Sequence, residues 1–445
     1  MKHTINPSPL LTDLYQLTMV QGYLEQGLDQ KADFEFFVRD LPKNRNFLLA
    51  VGLEQVINFL IRIKYNTQEL EWLSRQKRFG KDFISYLENF KFDGDLFGMR
   101  EGTVFFPNEP ILRVSAPIPQ AQLLETRIIN LLQYQTMIAS KAVRSTIAAK
   151  GKILVDFGLR RAHGSEAGLF AARSSYIAGF SGTSAVLAGA LYDIPLYGTM
   201  AHSFIQAHDD ELTAFENFAE SQPDNVVLLV DTYDTFRALK KVINLSYKLK
   251  KRNIKIQAVR IDSGDLIQNS KKIRKILDEA GLDDINIFAS GNLDENVLQK
   301  CLLSNAPIDG FGVGTLMVTS SDAPYLECAY KLVQFAGQGR YKLSPLKETL
   351  PCPKQVYRYY NKMGVFSYDE ISMDSEQRDT ISLLSKVIAN GKRIAPVRPV
   401  AEIRDFVQEQ IHHLPDNLRQ VNKKAIYNVK ISKNLKIHQH AVKST

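Results

Sequence analysis

Apolar and polar positions follow two different rhythms along this chain. Near the start, Leu14, Leu17 and Leu24 recur at helical spacing behind Thr12 and Asp13, either of which can cap the helix they predict. Strand patterns come next at 33–38, 102–106 and 111–114, the last two separated by the turn Pro107-Asn108-Glu109-Pro110. A long helical pattern then covers 120–149 and stops at Gly151. From Lys152 onward, short apolar runs recur at 153–157, 194–197, 226–230, 256–261, 285–289 and 308–311. Helical patterns lie between most of them, as at 235–243, 266–280 and 294–303. This alternation predicts a parallel sheet buried on both faces, and six runs in so short a stretch suit a (β/α) barrel better than a minimal open sheet. Beyond Leu343 the chain is punctuated by prolines, with a strand pattern at 355–360, a helix near 400–412 and a basic tail.

Composition narrows the class. A chain of 445 residues exceeds one ordinary core, so two or three domains are expected. Its 44% hydrophobic and 23% charged residues exclude a disordered or fibrous chain. The net charge of +8 is scattered until the tail, where Lys423, Lys424, Lys430, Lys433 and Lys436 read as a solvated surface. Such an excess suits phosphorylated small molecules as well as it suits a nucleic acid, and no nucleic-acid partner is expected. Cys301, Cys328 and Cys352 form no CxxC spacing, which points to a reducing compartment. No apolar stretch of signal-peptide length opens the sequence, and none approaches the roughly 20 residues that span a bilayer. A cytoplasmic protein without membrane partners is the expectation.

The loops just after the apolar runs carry the chemistry. In order come Gly158-Leu159-Arg160-Arg161-Ala162-His163-Gly164, Gly198-Thr199-Met200-Ala201-His202-Ser203, Asp231-Thr232-Tyr233-Asp234, Asp262-Ser263-Gly264-Asp265, Ser290-Gly291-Asn292 and Gly312-Val313-Gly314-Thr315. In a parallel barrel all six emerge at one rim, where such folds hold their active sites. Asp, Ser, Thr and Gly are also what ordinary helix caps require, so any one loop alone is ambiguous, and Asp265 could simply cap the helix after it. Two arginines and a histidine at the same rim are not explained by capping. Gly314 and Thr315 allow a close phosphate approach, although GxxxxGK[ST] is absent. Arg160, Arg161 and Arg260 offer planar forks for carboxylate or phosphate. Asp262 and Asp265 are candidates for ribose hydroxyls or a Mg²⁺-bound pyrophosphate. His202 is the leading histidine, with His163 and His208 weaker, and no Cys/His cluster marks a transition metal.

Taken in order, these loops resemble the nicotinate phosphoribosyltransferase family. The matching segments are 10–19 (LLTDLYQLTM), 101–112 (EGTVFFPNEPIL), 156–163 (DFGLRRAH), 198–203 (GTMAHS), 260–266 (RIDSGDL), 288–294 (FASGNLD), 309–315 (DGFGVGT) and 330–333 (YKLV). The resemblance implies an irregular (β/α) barrel of parallel strands plus an α+β sandwich domain built from the N-terminal and C-terminal parts. The expected layout is a sandwich domain over 1–120, a connecting helix and barrel over 121–343, and a segment over 344–445 packing on the N-terminal domain. It also implies joining nicotinate to phosphoribosyl pyrophosphate (PRPP), with Mg²⁺ and ATP as co-substrate, in a homodimer with shared active sites. Under it, His202 is the histidine phosphorylated by ATP and Asp262 fixes the ribose. Arg260, helped by Thr199, meets the nicotinate carboxylate. Phe157 and a partner's Tyr15 sandwich the pyridine ring. Gly314 and Thr315 hold the 5′-phosphate, and Arg160 or Arg161 contacts pyrophosphate. No protein ligand for Mg²⁺ is assigned; it is expected through pyrophosphate.

Related readings are separable. Nicotinamide-specific relatives are expected to carry aspartate where this chain has Ser184, in Gly182-Thr183-Ser184, so the acid substrate is favoured. Chain length and the 198–203 loop disfavour a quinolinate enzyme. A decayed, non-catalytic barrel would leave gaps at the rim, yet His202, Arg260, Asp262 and Thr315 are all present. A lyase or aldolase barrel would want a strand-end lysine or a metal cluster, and the six loops supply neither.

Overall fold

The computed structural model describes residues 8–344 and 348–443. The chain divides into two compact units, one over Lys141–Asp322 and the other from the residues before and after it.

The first unit is built on a six-stranded parallel sheet. Its spatial order is Gly182–Thr183, Ile153–Asp156, Gly310–Val313, Asn286–Ser290, Ile256–Ile261 and Val226–Leu229. The two end strands are not paired to each other among the described residues, so the sheet is a partial barrel. Leu154, Val155, Leu228, Val259, Ile261, Ile287, Phe311 and Val313 are all buried, as expected of strands covered on both faces. Each such side chain removed from water contributes about 1.5–3 kcal/mol before entropy is counted. The crossover helices start where short acidic side chains take up otherwise unpaired N–H groups. Asp234 accepts from Arg237 N, Asp265 from Ile267 N and Gln268 N, and Asp294 from Asn296 N and Val297 N.

One expected strand is largely missing. The run at 194–197 makes only an isolated bridge, Leu196 to Thr183, beside the two-residue strand Gly182–Thr183. Pro195 supplies a carbonyl to Thr183 N but has no N–H to extend the ladder.

The second unit holds a seven-stranded sheet containing, in spatial order, Gln338–Gly339, Cys328–Phe335, Lys31–Val38, Pro110–Pro117, Asp95–Met99, Leu384–Ala389 and Lys392–Arg393. N-terminal and C-terminal segments thus share one sheet. Cys328–Phe335 runs antiparallel to Lys31–Val38, and Tyr330 stacks on Phe34 with centroids 5.0 Å apart. As a compact unit, the parallel part of the chain ends at Asp322. A four-stranded sheet combines Ile381–Ser382, Lys354–Tyr360, Phe366–Met373 and Val429–Ile431. Among the described residues, no helix is long and apolar enough to cross a membrane.

Candidate active site

A parallel sheet aligns the carboxyl ends of its strands, and the candidate residues collect there. Arg260 lies near the end of Ile256–Ile261 and Asp262 just past it, so the two side chains share one side of the chain. Arg260 Nη2 donates to Asp262 Oδ1 at 2.8 Å, Nε to Ser290 Oγ at 2.8 Å, and Nη1 to the Met200 carbonyl at 3.3 Å. Ser290 closes the triangle by donating a short hydrogen bond to Asp262 Oδ1. The Arg260 guanidinium carbon sits 5.5 Å from the centre of the Phe157 ring. Phe157 is tilted against Phe288, centroids 6.0 Å apart. Gly312 makes room for that ring, since a Cβ there would fall 2.4 Å from Phe157 Cδ2.

Asp262 is held from a second direction. Asp231 Oδ2 accepts from Asp262 N at 2.8 Å and from Ser263 Oγ at 2.6 Å. Asp231 Oδ1 is buried without a hydrogen-bond partner among the described residues. His202 begins the short helix His202–Gln206, with Nδ1 3.1 Å from Thr232 Oγ1. Burial alone would raise the Asp262 pKa. Hydrogen bonds from Ser290 and Arg260, with the charges of Arg260 and His202, outweigh it and hold the carboxyl below its ordinary value.

Beneath the first loop, Asp156 is fully buried. Its carboxylate accepts from Gly158 N at 2.8 Å and Thr183 Oγ1 at 2.7 Å, while its backbone carbonyl accepts from Ser184 N at 2.9 Å. Burial raises its pKa, and the Thr183 and Gly158 hydrogen bonds offset this only in part. Asp156 thus fixes both the turn into Phe157 and the segment carrying Ser184.

Of the candidates read from the sequence, Phe157, Arg260 and Asp262 meet directly, and His202 acts electrostatically on Asp262. Thr199 donates its hydroxyl to the Val227 carbonyl at 2.6 Å. Gly314 packs against the backbone of Phe157, 3.1 Å from its carbonyl oxygen to an added Cβ, and Thr315 is exposed at the start of Thr315–Val318. Arg160 and Arg161 lie exposed on the short turn Leu159–Arg161. His208 bonds the carbonyl of Phe204 at 2.7 Å. Tyr15 lies in the other unit, 47% exposed. In the sequence the loops of Asp231 and Ser290 are ambiguous between plain helix caps and site residues, and nothing singles out Asp156 or Thr232. Only Asp234 in the third loop caps a helix; Asp231 and Ser290 brace Asp262 instead.

Three family models match most of the chain. Residues 10–133 match the nicotinate phosphoribosyltransferase (NAPRTase) N-terminal domain, 153–341 the NAPRTase family and 376–438 its C-terminal domain. A nicotinate phosphoribosyltransferase of Mycobacterium tuberculosis is 46% identical over 413 residues, covering 93% of this chain and 89% of that protein. The Bacillus subtilis nicotinate phosphoribosyltransferase is 38% identical, covering 91% and 83%. The chain belongs to the nicotinate phosphoribosyltransferase family. The crystal structure of human nicotinic acid phosphoribosyltransferase superposes with a TM-score of 0.88 at 27% identity, covering 97% of this chain and 99% of that one. That of a nicotinate-nucleotide pyrophosphorylase from Pyrococcus furiosus gives 0.76 at 25% identity, covering 93% and 99%.

For a member of this family, the donor count of Arg260 matters. Asp262, Ser290 and Met200 engage three of its five N–H groups, which leaves two in a planar fork beside the Phe157 ring. An aromatic face and a cationic fork side by side can take a flat ring that bears a carboxylate.

Proposed function

We propose that this protein is a nicotinate phosphoribosyltransferase serving NAD biosynthesis, forming nicotinate mononucleotide and pyrophosphate from nicotinate and PRPP with ATP hydrolysis coupled through His202. The Arg260–Phe157 pairing is the observation that carries the reading: the ring stacks on Phe157 and the carboxylate takes the free arginine donors.

In the reaction, the pyridine nitrogen of nicotinate forms a bond to C1′ of PRPP as the C1′–pyrophosphate bond breaks. Positive charge develops on the ribose, so fixed contacts to ribose and pyrophosphate form most of the catalytic task. Asp262 stays ionised because its pKa is depressed, and it holds the ribose hydroxyls. Thr315, Gly314 and the Arg160–Arg161 turn take the phosphate groups. Mg²⁺ would neutralise pyrophosphate oxygens when bound. Mg²⁺ needs only one or two carboxylates beside phosphate oxygens, and the residues present fit that requirement. Asp231, with its unpartnered buried Oδ1, is the carboxylate that would hold it.

His202 is suited to the ATP step. Thr232 engages Nδ1, which leaves Nε2 to attack the γ-phosphorus as ADP departs. Water later releases phosphate from the histidine. The added negative charge beside Asp262 and Asp231 favours expulsion of pyrophosphate. A cytoplasmic homodimer, in which a second copy contributes its exposed Tyr15 ring, completes the reading.

The test is an assay of nicotinate, PRPP and Mg²⁺, with and without ATP, on the wild type and His202→Ala. ATP should stimulate nicotinate mononucleotide formation by the wild type, and the variant should lose both stimulation and phosphohistidine. ATP coupling unchanged in the variant removes His202 from the role.

A further inference from the structure

A cavity lies in the unit built from the N-terminal and C-terminal segments, bordered by the helix Leu53–Arg62, the strands Asp95–Met99 and Leu384–Ala389, and the start of the helix Val400–His413. Its volume is about 410 Å³, within the range of small-molecule sites. Four cations line it, Arg100, Lys386, Arg393 and Arg398, together with two carboxylates, Glu54 and Glu101, the second of which accepts from Gly52 N at 2.6 Å.

Two of the four are neutralised. Arg393 grips Glu54 with both ends of its fork, at 2.7 and 2.8 Å, and Lys386 donates to Asp95 at 2.8 Å. Among the described residues, the ion-pair contact of Arg398 is an exposed one with Glu402 at 3.9 Å, beyond hydrogen-bond length. Arg100 has no carboxylate in contact among the described residues. Its guanidinium carbon lies over the Phe406 ring, 3.8 Å from the centre, and its Nε is buried with no hydrogen-bond partner among the described residues. Burial, and then the charge of Arg398, pull the Arg100 pKa below its usual value, and the charges of Glu409 and Glu402 offset this only in part. A cation that is part-buried, stacked and repelled by a neighbouring cation is destabilised unless an anion joins it.

We propose that this cavity binds a small organic anion, its phosphate or carboxylate held between Arg100 and Arg398 and its apolar body against Leu53, Ile57, Ile394 and Pro396. The anion supplies the acceptors that Arg100 lacks and screens the two guanidinium charges from each other. Leu53 and Ile57 supply an apolar wall, and the exposed Ile394 and Arg398 mark the side from which a ligand enters. Burying an apolar body against that wall distinguishes an organic anion from inorganic phosphate, which gains nothing there.

Titration of the full-length protein with phenyl phosphate, phenylacetate and inorganic phosphate, followed by calorimetry, tests the assignment. Arg398→Gln, Arg100→Gln and Arg260→Gln are compared with the wild type, with thermal melting to confirm folding. Because Arg398 is exposed, its substitution keeps the test valid even if Arg100→Gln does not fold. Either aromatic anion should bind saturably, more tightly than inorganic phosphate, and weaken about tenfold or more in Arg398→Gln while binding Arg260→Gln as it binds the wild type. A preference between the two aromatic anions identifies the head group. Binding lost in Arg260→Gln but kept in Arg398→Gln would mean that the probes enter the rim of the parallel sheet, and overturns the proposal. So does the absence of saturable binding, or equal affinity for inorganic phosphate.

Discussion

Arg260 and Asp262 leave the same strand end two residues apart and bond to each other at 2.8 Å, with Ser290 bonded to both. The triangle fixes the direction of the guanidinium fork and keeps the carboxylate ionised. A depressed folded-state pKa means that its stabilising contribution is present above the unfolded carboxylate pKa and lost as pH falls through the folded one. Ser290→Ala removes one of the hydrogen bonds that hold this pKa down. The acidic limb of kcat/KM should therefore move to higher pH, with the fall in activity beginning closer to the ordinary aspartate range. A pH–rate series on both proteins measures this, and an unmoved acidic limb would show that Asp262 does not set it.

Gly291 has φ +97°, and a Cβ there would lie 2.1 Å from the carbonyl oxygen of Asp262. That contact is with backbone and cannot be relieved by a rotamer change. Gly291→Ala should displace the Asp262 segment and lower kcat/KM by about a hundredfold. Gly281 has φ +68° in open space, so Gly281→Ala carries the backbone strain alone and should retain activity. Equal activity losses in the two would assign the effect to strain instead of displacement.

Ser184 is tied to Asp156 through its backbone N–H, beside the buried Thr183–Asp156 hydrogen bond. Ser184→Asp places a negative charge where a carboxylate substrate is expected. The kcat/KM for nicotinate should fall about tenfold or more, and that for nicotinamide should fall less, because the amide carries no charge to repel. Parallel steady-state assays of both bases decide it; an unchanged ratio removes Ser184 from substrate selection.

Glu295 is 1% exposed and receives Lys141 at 2.6 Å and Arg144 at 2.8 Å, both on the helix Glu125–Ala149. Although burial opposes ionisation, the Lys141 charge leads the partners that lower its pKa. Glu295→Ala should destabilise the protein by about 3–5 kcal/mol in chemical denaturation, towards the lower figure because Asp322 still pairs with Lys141 at 2.9 Å. Stability from this carboxylate is present above its unfolded pKa and fades as pH falls through the depressed folded value. The wild type should thus lose stability on acidification over a range where the variant changes less.

Much of the parallel unit was legible because burial on both faces writes continuous apolar runs. Five of the six expected strand positions carry ladders, at most two residues from their expected ends. The run at 194–197 misled because apolar character does not reveal whether a strand can donate, and Pro195 cannot. Gly182–Thr183 was too short to leave a pattern. In the other unit, Cys328–Phe335 looks locally like any strand, and nothing in its own residues reveals that Lys31–Val38 is its partner.

By itself, the sequence determined the alternation of strands and helices, the loops that carry Arg260, Asp262 and His202, and the family to which the chain belongs. These are local properties, written in side-chain type and spacing. Only the tertiary structure decided that Ser290 and Asp231 brace Asp262, that Asp156 anchors the Ser184 segment, and that Arg100 is left without a carboxylate in contact. Those relationships join residues roughly 30 or more positions apart in several cases, and they depend on which strands become neighbours. A hydroxyl or carboxylate can cap a helix or hold a catalytic side chain with the same atoms; the fold settles which N–H reaches it first.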